Sequence, residues 1–180
     1  MRIKLSLIVI GLCISMISFG QSKKKVGKLI RDSEVAKTEF LRSDFQMKEH
    51  FENAYAYVIF PNVGKGAVGV GGATGTGIVY ERGRIVGVAN LTQLSIGFQF
   101  GGQAYREIIF FETEKQLDDL KKNKIKLAAQ ASAVAATEGA SADAKYDKGV
   151  MIFTMQKGGL MYEASVGGQK FKFKPYISQK

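Results

Sequence analysis

The sequence predicts an α+β protein whose N-terminal helices pack on a strongly curved, mostly antiparallel, glycine-rich sheet or small barrel. Three observations support this prediction. Apolar residues before position 54 recur at helical spacing. Later segments alternate apolar residues with small or polar ones, as strands do. Most of the 21 glycines lie in those later segments, and glycine suits strands that bend sharply or pack closely.

Residues 1–20 have the pattern of a cleavable secretion signal. Arg2 and Lys4 provide a positive start, Leu5–Phe19 is almost entirely apolar, and small residues surround Phe19. The apolar run is about 15 residues, whereas a membrane-spanning helix needs about 20. We therefore expect cleavage after Gly20 and an exported protein that is periplasmic or extracellular.

The only cysteine, Cys13, lies within the predicted signal and follows Leu12, where a lipoprotein signal would have a small residue. We therefore expect no lipid attachment. After cleavage the chain would have no cysteine, which excludes disulfides, thiolate metal sites and a cysteine nucleophile.

The formal net charge of +10 predicts attraction to anionic surfaces, either nucleic acid or phospholipid headgroups. Export favours phospholipid, so no nucleic-acid partner is expected. Solubility alone is the alternative explanation of the charge. The single histidine, His50, lies in a charged stretch typical of a surface helix, and no GxSxG nucleophile motif occurs. We predict a protein without catalytic activity, cofactor or metal site.

The glycine-rich segment resembles two phosphate-binding motifs but matches neither. Gly64-Lys65 would end a P-loop, except that Gly66 stands where serine or threonine is required. The run Gly69–Gly77 departs from G-x-G-x-x-G because Thr74 occupies the last glycine position. We interpret these glycines as positions where strands bend and pack closely.

Helices are predicted in three places. Val26–Leu41 forms one amphipathic helix or two short ones, and Ser43 or Asp44 caps another that ends near Asn53. Thr113 caps a short helix over Glu114–Lys122.

Strands are predicted from Tyr55 onward, where the spacing of apolar residues changes from helical to alternating. The first ends at a Pro61-Asn62 turn, and the alanine-rich stretch Leu127–Ala136 is interpreted as a strand although its helix propensity is high. The last three are expected to form an antiparallel meander. The remaining predicted strands are Gly66–Gly72, Thr76–Glu81, Arg84–Asn90, Leu94–Phe100, Ala104–Phe111, Gly149–Met155, Leu160–Val166 and Gln169–Lys174.

Two motifs resemble the SYLF domain, also called the Ysc84-type lipid-binding domain. They are IFPNVGKGAVGVGGATGTG at Ile59–Gly77 and SIGFQFGGQ at Ser95–Gln103. The segments FETEKQLDDL, LAAQASAVAATEG and KGGLMYEASVGG extend the similarity from about Leu29 to Tyr176. The chain departs from the family at Gly87–Leu91, where a tryptophan and a proline are common, and near Tyr105, where acidic residues are common.

The resemblance implies a single SYLF-like domain over residues 29–178, preceded by a basic, flexible segment at 21–28. It also implies lipid binding. Eukaryotic relatives bind phosphoinositides and some are linked to actin, but an exported chain does not meet actin. The sequence therefore predicts a non-catalytic module that associates with anionic phospholipid headgroups at a membrane surface, as a peripheral membrane protein. The alternative is a small integral outer-membrane β-barrel or a structural envelope protein.

Three groups of basic residues are candidates for headgroup binding. The first borders the apolar stripe of the N-terminal helix, as in helices that lie on a membrane surface. The second lies on one face of the last strand, where it would alternatively protect a sheet edge. The third is a single lysine that the resemblance matches to a family lysine. These residues are Lys23, Lys24, Lys25, Lys28 and Arg31, then Lys170, Lys172 and Lys174, and finally Lys65.

Overall fold

The computed structural model confirms the α+β class. It describes residues 24–68, 70–95, 103–127, 132–135, 137–157, 164–166 and 168–176.

The described residues form three helices. The first, α1, occupies residues 24–43 as one continuous helix. Its apolar spacing places Ala36 and Phe40 in the core, where both are fully buried. A short connection leads to α2 (Met47–Asn53), and α3 (Glu114–Lys121) lies between two strands.

Eight strands build one sheet, in the order β7-β5-β6-β4-β1-β2-β3-β8. Neighbouring strands are antiparallel except β5 and β6, which are parallel. The strands are β1 (Ala56–Val68), β2 (Val70–Glu81), β3 (Arg84–Ser95), β4 (Gln103–Phe111), β5 (Ser132–Ala135), β6 (Val150–Gln156), β7 (Ala164–Ser165) and β8 (Gln169–Pro175).

A contact between distant strands indicates that the sheet is curved. β4 and β8 are separated by three strands, so a flat sheet would hold them roughly 19 Å apart. Nevertheless, Gln169 Nε2 on β8 donates to Glu107 Oε2 on β4 at 2.9 Å. No ladder pairs β7 with β8 among the described residues, so the sheet that they form is open. It does not have the closed form of the small barrel that was predicted as the alternative.

The central strands β1, β2 and β4 alternate between two apolar layers. Val58 and Phe60 point into the concave side, where they join a core that includes Phe171 and residues of α3. Tyr57 and Ile59 point to the convex side, which α1 and α2 cover. The N-terminal helices therefore pack on the sheet as predicted. Burial of both faces removes enough apolar surface from water to stabilise the domain.

Polar contacts fix the position of α1 on the convex side. The Tyr80 hydroxyl donates to Glu34 Oε1 at 2.8 Å, and Arg106 pairs with Glu39 at 2.5 Å. Burial and the nearby Glu34 carboxylate raise the pKa of Tyr57 to about 12. These contacts place α1 over β1, β2 and β4.

The first two predicted strand boundaries are wrong. β1 does not end at Pro61 but continues to Val68, because a register shift between Ile59 and Val63 accommodates the proline. A bulge is one of the few places in a sheet where the missing N–H is tolerated. The predicted strand Gly66–Gly72 instead spans a hairpin connection, since Val68 and Val70 are directly paired.

The predicted C-terminal meander is also wrong. β6 pairs with β4 and β5, whereas β8 pairs with β3. β3 continues past the predicted end at Asn90 to Ser95, because it stays paired with β2 as far as Gly71↔Ser95. Most of the predicted strand Leu94–Phe100 lies outside the described residues. Residues 160–163 of the predicted strand Leu160–Val166 lie outside them as well.

Candidate functional site

Three lysines form an exposed row on β8, as the alternating sequence predicted. Lys170, Lys172 and Lys174 are exposed, whereas Phe171 is buried in the concave core and Phe173 packs against it. Residues two apart on a strand lie about 6.5 Å from each other on one face. The lysine row therefore presents three positive charges in a line.

The strand beside the lysine row does not neutralise it. Thr92, Asn90 and Val88 of β3 are the cross-strand partners of the three lysines. Among the described residues, no carboxylate lies within ion-pair distance of the three ammonium groups. Tyr176, which follows the row, keeps 40% of its surface exposed. Uncompensated cations beside an exposed tyrosine suit an interface between water and an anionic surface.

The basic residues of α1 form a second surface with a different character. Lys24, Lys25, Lys28 and Arg31 are exposed, but Lys28 pairs with Asp32 at 2.7 Å. The apolar stripe of α1 packs on the sheet of its own domain. The exception is Val35 of the same helix, which is 55% exposed. Contact between α1 and a membrane leaflet therefore stays a prediction. Lys23 lies outside the described residues.

Lys65 lies on β1, where it pairs with Ala73 of β2 and Gln103 of β4. It is not on the same element as either lysine group. The structure thus assigns the three predicted groups to different elements, namely α1, β1 and β8. Only the lysine row combines regular spacing with the absence of a described acidic neighbour.

A buried polar cluster on the concave side holds β8 in place and was not predicted. Tyr105, Glu107 and Gln169 are almost fully buried. The Gln169 amide donates to Glu107 and, at 3.4 Å, to the Tyr105 hydroxyl. Burial and the charge of Glu107 raise the pKa of Tyr105 well above its usual range. The alternation Tyr105-x-Glu107-x-Ile109 was the available signal, because it places a carboxylate on a core face.

The part of the chain that the structure describes offers few side chains for a metal site or for histidine-dependent catalysis. Those residues contain no cluster of three or more metal-ligating side chains. His50, predicted as a surface residue, is half-buried, and its Nε2 lies 3.0 Å from the Ser141 carbonyl oxygen. None of the described helices is sufficiently long and apolar to cross a bilayer.

Residues 92–178 match the family model for Ysc84, described as Las17-binding protein actin regulator. The resemblance to this family is confirmed. The matched residues include β4, α3 and the lysine row, whereas the motif at Ile59–Gly77 precedes them. The chain is also 30% identical over 71 residues to beta cell expansion factor A of Aeromonas veronii. That alignment covers 39% of this chain and 27% of the relative.

Proposed function

We propose that this chain, whose residues 92–178 match the Ysc84 (SYLF) family model, is a non-catalytic module that binds anionic phospholipid headgroups at a membrane surface. The observation that carries this proposal is the lysine row on β8. Its three exposed ammonium groups have no described acidic partner, so their attraction for phosphate oxygens is not already satisfied.

Electrostatics gives this surface a reversible mode of binding. A lysine near an anionic membrane contributes about 1 kcal/mol. Three such charges would hold the protein at a vesicle without inserting it. Tyr176 adds an amphipathic ring at the end of the row, with its hydroxyl directed to water and its ring to the headgroup region.

The surface of α1 supports this binding to a smaller degree. Asp32 offsets the charge of Lys28 at 2.7 Å, and the apolar stripe of the helix is occupied by the sheet. Lys24, Lys25 and Arg31 contribute long-range attraction only. We therefore rank the lysine row above the N-terminal group as the headgroup-binding surface.

Removing the lysine row should weaken binding to vesicles of phosphatidylglycerol and phosphatidylcholine. We expect the triple variant Lys170→Gln, Lys172→Gln, Lys174→Gln to bind about tenfold or more weakly, because each charge contributes about 1 kcal/mol. Binding of the wild type should fall as salt rises, since screening shortens to about 8 Å at physiological ionic strength. Co-sedimentation with vesicles measures both effects.

A control variant removes the same charge elsewhere. Lys48, Lys121 and Lys122 each lie within 4.0 Å of a carboxylate, so their change to glutamine should leave vesicle binding nearly unaltered. If both variants lost vesicle binding equally, net charge alone would explain the loss, and a specific role for β8 would be contradicted. Unchanged binding in the lysine-row variant would transfer the site to α1.

Export forms a second part of the proposal. The signal pattern of residues 1–20 predicts that the secreted protein begins at Gln21. Intact-mass measurement of the exported protein tests this expectation. A mass that retains residues 1–20, or one that carries acyl chains on Cys13, would overturn it. Outside the cytoplasm actin is absent, so the actin role in the family description is not proposed for this chain.

A further inference from the structure

A groove of about 450 Å³ lies between α3, the segment 124–127 and the beginning of β6. Its volume falls within the range of roughly 300–1,000 Å³ that is typical of ligand pockets. The groove combines a charged rim with apolar walls. The rim is formed by five exposed lysines, Lys115, Lys124, Lys126, Lys145 and Lys148.

The apolar walls come from residues that the sheet leaves partly uncovered. Ile125, Leu127, Val134 and Val150 line the groove and are only half-buried. The parallel pairing of β5 with β6 is limited to Phe153 and Thr154. Among the described residues of these two strands, residues 150–152 of β6 have no pairing partner in β5. Because Ile125, Leu127 and Val150 are only half-buried, apolar surface is accessible beside the lysines.

A tight turn places Lys148 at the rim. Asp147 and Val150 are paired across it, and the two residues between them have positive φ values of 52° at Lys148 and 80° at Gly149. Two such residues define a type I′ turn, which favours asparagine and glycine over lysine. Gln116 Nε2 of α3 donates to the Lys148 carbonyl oxygen at 3.3 Å. The turn is thus held against α3.

The charge of the groove is only partly compensated. Asp119 and Asp147 are its two acidic residues, and Asp119 pairs with Lys115 at 2.8 Å. Lys126 lies directly opposite Lys170 in an antiparallel bridge. Like charges in this arrangement repel each other, and neither lysine has a carboxylate partner among the described residues. An anion bound near this pair would relieve the repulsion.

We propose that this groove, which we call the lysine groove, binds one anionic phospholipid. The headgroup phosphate lies near Lys126 and Lys170, and one acyl chain lies along the apolar walls. The positive rim excludes a neutral apolar ligand as the preferred occupant, and the apolar walls disfavour a free phosphate. The inference rests on the proposed function, because Lys170 joins the lysine groove to the lysine row that contacts the membrane.

A tryptophan reporter tests whether an acyl chain occupies the lysine groove. The protein has no tryptophan of its own, so the fluorescence comes from the reporter alone. The Ile125→Trp variant places an indole in the lysine groove, and Val35→Trp places one on the exposed face of α1, where Val35 is 55% exposed. The probe is lysophosphatidylglycerol with a brominated chain, kept below its micelle concentration. We expect saturable quenching in the Ile125→Trp variant and none in the control. Equal quenching of both reporters would overturn the proposal.

The headgroup is tested with charge variants in the Ile125→Trp background. Lys124→Gln, Lys126→Gln and Lys145→Gln together should weaken binding of the probe about tenfold or more. The matched change of Lys48, Lys121 and Lys122 should not. Brominated lysophosphatidylcholine should bind more weakly than the phosphatidylglycerol form. Glycerol phosphate should not displace the probe; displacement at equal concentration would assign the site to free phosphate and contradict a lipid occupant.

Native mass spectrometry of the unsubstituted protein gives a second readout that does not depend on the reporter variant. We expect one bound lysophosphatidylglycerol per protein molecule. Absence of this complex would overturn the proposal that the lysine groove binds a lipid. If vesicle co-sedimentation still depends on the lysine row in that case, the surface function stands alone. Binding of a single lipid without any vesicle association would instead contradict the proposed function and retain the lysine groove.

Discussion

Replacing Gly77 with valine should destabilise the domain more than any other single change considered. A Cβ at this position would lie 2.6 Å from the Ile59 carbonyl oxygen and 2.7 Å from Cδ1 of Phe60. Both residues are fully buried, so neither can move away without disturbing β1. We expect a loss of about 3 kcal/mol in the free energy of unfolding. That corresponds to a fall of about 6–12 °C in the melting temperature for a chain of this size.

Gly64→Ala is the matched control for Gly77→Val. A Cβ at Gly64 has no neighbouring atom within 4 Å, and the residue also lies in the β1–β2 hairpin. Thermal unfolding followed by circular dichroism should therefore change little for this variant. If Gly77→Val melted normally but no longer bound vesicles, the glycines would belong to a ligand site and our interpretation of them as packing positions would be wrong.

Loss of the Asp44 carboxylate should have the second largest effect. Asp44 is 2% exposed. It accepts hydrogen bonds from the backbone N–H of Ser141 at 2.8 Å and of Gln46 at 3.1 Å. It therefore joins the connection between α1 and α2 to a loop almost 100 residues later. Hydrogen bonds to a charged group contribute about 1.5–3 kcal/mol, so we expect Asp44→Ala to cost about 2 kcal/mol, less than Gly77→Val. Chemical denaturation measures this loss.

The same residue predicts a pH dependence. Burial alone would raise the pKa of Asp44, but hydrogen bonds from Ser141, Gln46 and Gly139 outweigh it and lower the pKa below its usual value. A carboxyl group with a lower pKa in the folded state contributes stability above its unfolded pKa of about 3.9. That contribution disappears as the pH falls through the folded value. The stability difference between wild type and Asp44→Asn should therefore shrink between about pH 5 and pH 2.

Asp143→Asn provides the comparison for Asp44→Asn. Asp143 is exposed in the same loop, and its replacement should change stability by no more than about 0.5 kcal/mol. A pH profile of Asp44→Asn that runs parallel to that of the wild type would contradict the role assigned to the Asp44 carboxylate.

The spacing of apolar and polar residues predicted those helices and strands that have one face in the core and the other in water. The helical spacing of Leu29, Ile30 and Phe40 predicted α1, and these three residues pack on the sheet. Alternation of lysine and phenylalanine separates the exposed and buried faces of β8. In both cases the sequence alone determined the element and its orientation, because each residue type reports whether its own side chain meets water or the core. For the same reason the lysine row was predictable as a surface.

Only the tertiary structure decided which strands pair and which distant residues meet. The partner of β8 is β3 rather than its neighbours in the chain, and Gln169 of β8 meets Glu107 of β4 across the curved sheet. The lysine groove likewise combines α3, the segment 124–127 and β6. Periodicity describes one strand or helix at a time and contains no information about its partner. Pairing is selected by the packing of complete faces against each other, which exists only once the chain has folded.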